Sequence, residues 1–79
     1  MRRVELMVRE SCGSCARVAE QIAPVVAKHG ASLSLVDVDK AADPELAMEY
    51  GDRLPVVVID GEEFACWEVD NEDLAAELR

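Results

Sequence analysis

Residues 56–59 form an uninterrupted β-branched run, Val-Val-Val-Ile, which Asp60 and Gly61 follow directly. A short run of this composition predicts a strand. Asp-Gly after it is the strongest short-range signal for a two-residue hairpin. The chain then returns through residues 63–67, which predict a partner strand. The second half of the sequence therefore predicts an antiparallel pair of strands.

The first half of the chain alternates strand and helix patterns. Residues 4–8 predict the first strand, and residues 33–38 predict a second strand that is covered on both faces, because their apolar positions do not alternate strictly. Between them, apolar residues recur at helical spacing as far as Gly30, a natural helix end. Pro24 lies inside this helix and predicts a kink or a break, because its nitrogen has no hydrogen to donate.

Two more helices are predicted from residue types that are typical of helix starts and ends. Asp43 followed by Pro44 is a strong helix start, with an acceptor side chain before a proline at the first helical position. Gly51 ends that short helix. Asp70 or Asn71 is expected to cap a last helix near the C-terminus.

These elements follow the order β-α-β-α-β-β-α over 79 residues. A strand, a helix and a strand in succession predict a parallel pair joined by a right-handed crossover. The hairpin adds antiparallel strands, so the sequence predicts an α/β fold with a four-stranded mixed sheet flanked by helices. The length fits one domain, residues 1–79.

The charge distribution limits the partners. Residues 1–30 carry a net charge of +2 and residues 31–79 carry −11, which gives −9 for the chain. An acidic surface repels phosphate backbones, so nucleic acid is not an expected partner. No apolar run approaches the ~20 residues that span a bilayer, and the N-terminus does not resemble a signal peptide. We therefore expect a cytoplasmic monomer without membrane contact.

Cys12-Gly13-Ser14-Cys15 is the motif that carries chemistry. Three cysteines are an odd number, and a bridge across so short a loop would stabilise the fold little. Cys12 lies where a helix begins, so backbone N–H groups and the helix dipole favour its thiolate and make it the nucleophile. Cys15 lies one turn further along the same face, within reach of a disulfide. Gly13 leaves room for an incoming disulfide, and the Ser14 hydroxyl can donate to a sulfur.

The order of these elements resembles the thioredoxin fold, in particular the short glutaredoxin-like proteins. The similar segments are residues 4–8, 12–15, 36–39, 43–47 with Tyr50 and Gly51, and 54–57. The resemblance implies that the Leu54-Pro55 peptide bond is cis and faces the cysteine pair. It also implies that the backbone of Leu54 pairs with an extended substrate segment, so Gly13, Ser14, Leu54 and Pro55 are the expected substrate-binding residues.

The sequence departs from both relatives. Thioredoxins have Trp where this chain has Ser11 and a buried Asp where it has Leu6, and glutaredoxins usually have Pro-Tyr between the cysteines. Residues 64–67 replace the glutaredoxin Gly-Gly that helps to hold glutathione. The electron donor is therefore open between glutathione and a protein reductase. The uncharged Gly13-Ser14 predicts a potential nearer to that of thioredoxin (about −270 mV) than to that of the strongest periplasmic oxidant (about −120 mV).

The leading hypothesis is a thiol-disulfide oxidoreductase that reduces protein or low-molecular-weight disulfides, with Cys12 as nucleophile, Cys15 as resolving thiol and no cofactor. The first alternative is a metal-binding module, either a zinc site that uses Cys12, Cys15, Cys66 and His29 or an iron-sulfur cluster that bridges two chains through Cys12. The second is an interaction subunit with a vestigial dithiol.

Five other side chains have expected roles of their own. Cys66 is expected to be an inert core residue, and Trp67 to close the small core. His29 is expected to complement a helix dipole. Arg9 flanks the cysteine pair, as does Arg17, and either could steady a thiolate or an acidic partner.

Overall fold

A computed structural model describes residues 2–79, and within them the elements follow the predicted order. The strands are β1 (Arg3–Val8), β2 (Ser32–Asp37), β3 (Val56–Ile59) and β4 (Glu62–Cys66). The helices are α1 (Gly13–Lys28), α2 (Glu45–Tyr50) and α3 (Asn71–Leu78).

The four strands form one mixed sheet in the order β2-β1-β3-β4. Strand β1 is parallel to β2 and antiparallel to β3, and β3 is antiparallel to β4. In this register Leu6 pairs with Leu35 on one side and with Val57 on the other. The predicted mixed four-stranded sheet is therefore confirmed.

Helices cover both faces of the sheet. On one face, the buried side chains of α1 and α3 pack on β1 and β3; this cluster comprises Val4, Leu6, Val18, Ile22, Val26, Val57, Ile59, Val69, Leu74 and Leu78. On the other face, α2 packs on a smaller cluster of Met7, Val38, Val56 and Val58. Because β3 contributes to both clusters, all four of its residues are buried, as its β-branched run requires.

The local signals at turns and helix ends are confirmed. Asp60 and Gly61 have φ values of 50° and 88°, the two left-handed positions that a tight hairpin needs. Asp70 caps α3, its carboxylate accepting from the N–H groups of Glu72 at 2.8 Å and Asp73 at 3.2 Å. The start of α2 is one residue later than expected, with Pro44 as the residue before the helix.

One expectation is wrong, and of the two alternatives expected at Pro24 the break is excluded. Strand β2 is not covered on both faces: it is an edge strand, and Leu35 is 58% exposed. Helix α1 is not broken at Pro24 but continues to Lys28. Pro24 lies on the exposed side of α1, where water can solvate the carbonyl of Glu20, while core packing of the opposite side holds the helix together.

In the part of the chain described, no helix is long and apolar enough to cross a membrane.

Candidate functional site

The cysteine pair lies where β1 leads into α1. Cys12 is the residue before α1 and Cys15 lies in its first turn, with 5.5 Å between their Cα atoms and a disulfide between their sulfurs. Cys12 is partly exposed, whereas Cys15 is only 3% exposed. The two sulfurs therefore differ in access: an incoming molecule meets Cys12 first, and Cys15 lies behind it.

The start of α1 surrounds Cys12 with hydrogen-bond donors. No side chain caps this helix end, and its first turn carries no acidic residue. The first N–H groups of a helix lack partners within it and form the positive end of its dipole, which stabilises an anion such as a thiolate. The Ser14 hydroxyl lies 3.7 Å from Cys12 Sγ and can donate to it. A Cβ atom added at Gly13 would meet no heavy atom within 4 Å other than those of its chain neighbours and its own helix backbone, so there is open space at this position.

The peptide bond between Leu54 and Pro55 is cis. Met7 of β1 pairs with Val56, so Pro55 comes directly before β3 at the end of the sheet from which β1 continues to Cys12. Neither backbone polar group of Leu54 has a hydrogen-bond partner within residues 2–79. The topology therefore brings this loop and the cysteine motif to the same end of the sheet.

A cavity of about 210 Å³ lies beside the motif. It is lined by Val8, Arg9, Glu10, Cys12, Cys15, Ala16, Ala19 and Leu35. Leu54 and Pro55 do not line it. The exposed Leu35 gives the cavity an apolar wall on the side of the edge strand β2.

The arginines that flank the motif have different surroundings. Arg9 forms an ion pair with Asp39, and this hydrogen bond holds the pKa of the Asp39 carboxyl below its usual range. The Arg9 charge is therefore shared with a carboxylate rather than being free for a thiolate. Arg17 lies on α1, in a separate and larger groove.

That larger groove, of about 890 Å³, lies between α1, the end of β4 and the start of α3. Trp67 forms part of its wall and is 59% exposed, so the expectation that this tryptophan closes the core is wrong. The chain leaves β4 at Trp67, whose φ is 69°. On the face of the sheet that α1 and α3 cover, the core is completed by Val69 and Leu74 instead. No residue pattern in the sequence marks this change in backbone direction.

Cys66 lies apart from the other two cysteines. It is a free thiol at the end of β4, half-buried against the α2 side of the sheet, and it does not line the cavity beside Cys12 and Cys15. His29 lies at the C-terminal end of α1, as expected. Across residues 2–79, no group of three or more His, Cys, Asp or Glu side chains is arranged to hold a metal ion. The four-ligand set of the zinc alternative is therefore not brought together in this part of the chain.

Comparison with known proteins adds sequence and fold relationships. Residues 3–79 match the family model described as "Glutaredoxin-like domain (DUF836)". An uncharacterized protein of Mycobacterium tuberculosis is 47% identical over 79 residues, a match that covers 96% of this chain and 81% of the relative.

Among solved structures, a structural genomics target from X. campestris is 28% identical, with a TM-score of 0.68 and coverage of 95% of this chain and 93% of that one. Thioredoxin-2 of a malaria parasite has a TM-score of 0.71 at 21% identity, covers 99% of this chain and 81% of its own, and supports the fold alone.

Proposed function

This chain belongs to the glutaredoxin-like domain family (DUF836) of the thioredoxin fold, and from this premise we propose that it is a thiol-disulfide oxidoreductase. Its thioredoxin fold with a Cys12/Cys15 pair at a helix start is compatible with redox function. The proposed activity is the reduction of protein or low-molecular-weight disulfides.

One observation carries the proposal: the unequal exposure of two cysteines that are close enough to bond. Cys12 is partly exposed at the start of α1, and Cys15 is buried one turn further on, with 5.5 Å between the Cα atoms. A nucleophile has to reach its substrate, whereas a resolving thiol has to reach only the nucleophile. A disulfide that only stabilised the fold would not need this difference in exposure. Cross-linking a loop this short also adds little stability.

In the proposed reaction, the Cys12 thiolate attacks one sulfur of a substrate disulfide. A bond forms between Cys12 and that sulfur, and the other substrate sulfur leaves as a thiolate that takes up a proton. Cys15 loses its proton and attacks Cys12 Sγ, which releases the second substrate thiol. The substrate gains two electrons, and the protein is left with the Cys12/Cys15 disulfide.

The substrate is proposed to lie along the proline loop. The unpaired N–H and C=O of Leu54 support this placement, because an extended segment could satisfy both groups. Pro55 would hold Leu54 in position, and Gly13 and Ser14 would border the attacked bond. Two electrons from glutathione or a protein reductase would then restore the dithiol.

The test compares three single variants in a disulfide reduction assay. Cys12→Ser is expected to abolish turnover, because Cys15 is buried and cannot replace it as nucleophile. Cys15→Ser is expected to accumulate mixed disulfides on Cys12, visible by mass and reversible with a reductant. Cys66→Ser is the matched control and is expected to retain activity. A fully active Cys12→Ser protein would rule out the mechanism.

A redox titration provides an independent measurement. Cys12 and Cys15 are expected to lose two alkylation labels together at one potential, while the labelling of Cys66 stays constant. If no two-electron step is found, the oxidoreductase proposal is withdrawn.

A further inference from the structure

Arg9 is held by two parts of the chain that are distant in sequence. Its Nε donates to Asp39 Oδ2 at 2.7 Å and its Nη2 donates to Asp39 Oδ1 at 3.0 Å, a two-point pairing of guanidinium and carboxylate. Its Nη1 donates to the carbonyl oxygen of Gly51 at 3.5 Å. This geometry fixes the direction of the guanidinium and not only its distance from a negative charge.

Arg9 is also close to the dithiol. The backbone N–H of Cys12 donates to the carbonyl oxygen of Arg9 at 3.0 Å, which closes a tight turn before α1. Arg9 and Cys12 are both among the residues that line the cavity of about 210 Å³. The backbone of Arg9 is therefore anchored directly before the cysteine motif, and its side-chain donors point to Asp39 and Gly51.

The surrounding charges favour this arrangement. Asp37 and Asp52 lie close enough to act on Arg9 in addition to Asp39. Lys40, which follows Asp39, lies 3.4 Å from Glu10 and 3.9 Å from Asp37. Arg9 in the loop before α1 and Lys40 in the segment after β2 are thus both paired with carboxylates.

We propose that Asp39 is a positioning residue that holds the Arg9 guanidinium away from the Cys12 sulfur and thereby keeps the dithiol a strong reductant. The inference rests on the redox function proposed for Cys12 and Cys15. A free guanidinium next to Cys12 would stabilise the thiolate of the reduced form but would gain nothing from the neutral disulfide. Stabilising the reduced form makes a dithiol a poorer reductant. Asp39 therefore opposes the effect that Arg9 would otherwise have.

The test measures the equilibrium of the Cys12/Cys15 pair with dithiothreitol in the purified full chain, by trapping thiols and counting labels by mass. Asp39→Asn is expected to shift the equilibrium constant toward the dithiol by about tenfold, which equals about 30 mV for a two-electron couple. The pH dependence of Cys12 alkylation is expected to move to lower pH in the same variant. A role of Asp39 in folding alone would change neither quantity.

Three further variants isolate the cause. Arg9→Gln combined with Asp39→Asn is expected to return the equilibrium to the wild-type value, because the freed charge is then gone. Asp39→Glu keeps the carboxylate and is expected to stay near wild type. Glu20→Gln removes one negative charge from an exposed side chain of α1. The Glu20 side chain has no hydrogen bond or ion pair within residues 2–79. This control variant is therefore expected to leave the equilibrium unchanged.

The outcomes separate the two proposals. If the wild-type pair titrates in a two-electron step but Asp39→Asn does not shift it, the role of Asp39 is wrong and the oxidoreductase proposal stands. If the double variant keeps the full shift, the effect does not pass through Arg9, and the role of Asp39 is again wrong. If the wild-type pair shows no two-electron step, both proposals are overturned.

Discussion

The backbone N–H of Trp67 donates to the carbonyl oxygen of Pro55 at 2.8 Å, which ties the residue after β4 to the residue before β3. The bond extends the β3–β4 pairing by one step, to the proline loop at the end of the sheet nearest Cys12. The same turn leaves the Trp67 ring in the wall of the large groove and 59% exposed.

Trp67 is expected to be replaceable without loss of fold. Its backbone has φ of 69°, a region that glycine enters freely and that costs other residues about 1–2 kcal/mol. Trp67→Gly is therefore expected to unfold at a higher urea concentration than Trp67→Ala, by about 1 kcal/mol in free energy of unfolding. Both variants lose the same exposed ring, so their difference reports the backbone alone. Equal midpoints would contradict this explanation.

The three cysteines are expected to react in a fixed order after reduction. Cys12 is partly exposed at the helix start, Cys66 is half-buried and Cys15 is 3% exposed. Iodoacetamide is therefore expected to modify Cys12 first and Cys15 last in the folded protein, because alkylation needs both access and thiolate character. Peptide mapping at short reaction times measures the order. Denaturing the protein first provides the control, since the positions should then react at similar rates. Faster modification of Cys15 than of Cys12 in the native state would be inconsistent with the structure.

Leu74 and Leu35 provide a matched pair for the core. Leu74 is completely buried between α3 and the sheet, whereas Leu35 is 58% exposed on the edge strand. Leu74→Ala is expected to lower the free energy of unfolding by about 2–5 kcal/mol through lost burial and the cavity left behind. Leu35→Ala is expected to lower it by less than about 1 kcal/mol. Urea denaturation of both variants measures the difference, and similar losses would mean that β2 is covered.

Asp60 is expected to make stability depend on pH in the acid range. Its carboxylate accepts from the backbone N–H of Arg3 at 2.9 Å and pairs with the Arg2 side chain, and these contacts lower the pKa of Asp60 below its usual 3.8. A carboxyl group whose pKa is lowered in the folded state stabilises the fold when the pH is above its ordinary pKa. This contribution to stability is lost as the pH falls toward the pKa of the folded state.

The stability difference between wild type and Asp60→Asn is therefore expected to be larger at about pH 7 than at about pH 3. Asparagine also accepts the left-handed backbone of this turn, so the hairpin is kept. Urea unfolding at both pH values measures the effect, with Glu20→Gln as the variant that removes a charge without an ion pair. A difference that is independent of pH would exclude the contribution from Asp60.

Local signals predicted most of the fold. The hairpin turn at Asp60 and Gly61 and the helix cap at Asp70 depend on neighbouring residues only. Their physical cause can therefore be seen in the local sequence. The cysteine motif was found for the same reason, since its spacing on a helix start is a local property. Of the kink or break expected at Pro24, the break does not occur because the lost hydrogen bond lies on the exposed side of a helix that is packed on its other side.

The placement of Trp67, Leu35 and Asp39 was decided by tertiary structure. A tryptophan favours burial, but whether the core has a place for it depends on the direction in which the chain leaves β4. Whether an apolar strand is central or at an edge depends on strand order, which no single segment contains.

The elements, their order and the pair of cysteines could be predicted from the amino acids alone, because they follow from local backbone preferences and side-chain spacing. The pairing of Asp39 with Arg9 could not, since the two residues lie 30 positions apart and meet only in the folded chain. The parallel pairing of β1 and β2 brings the ends of both strands together and makes that contact.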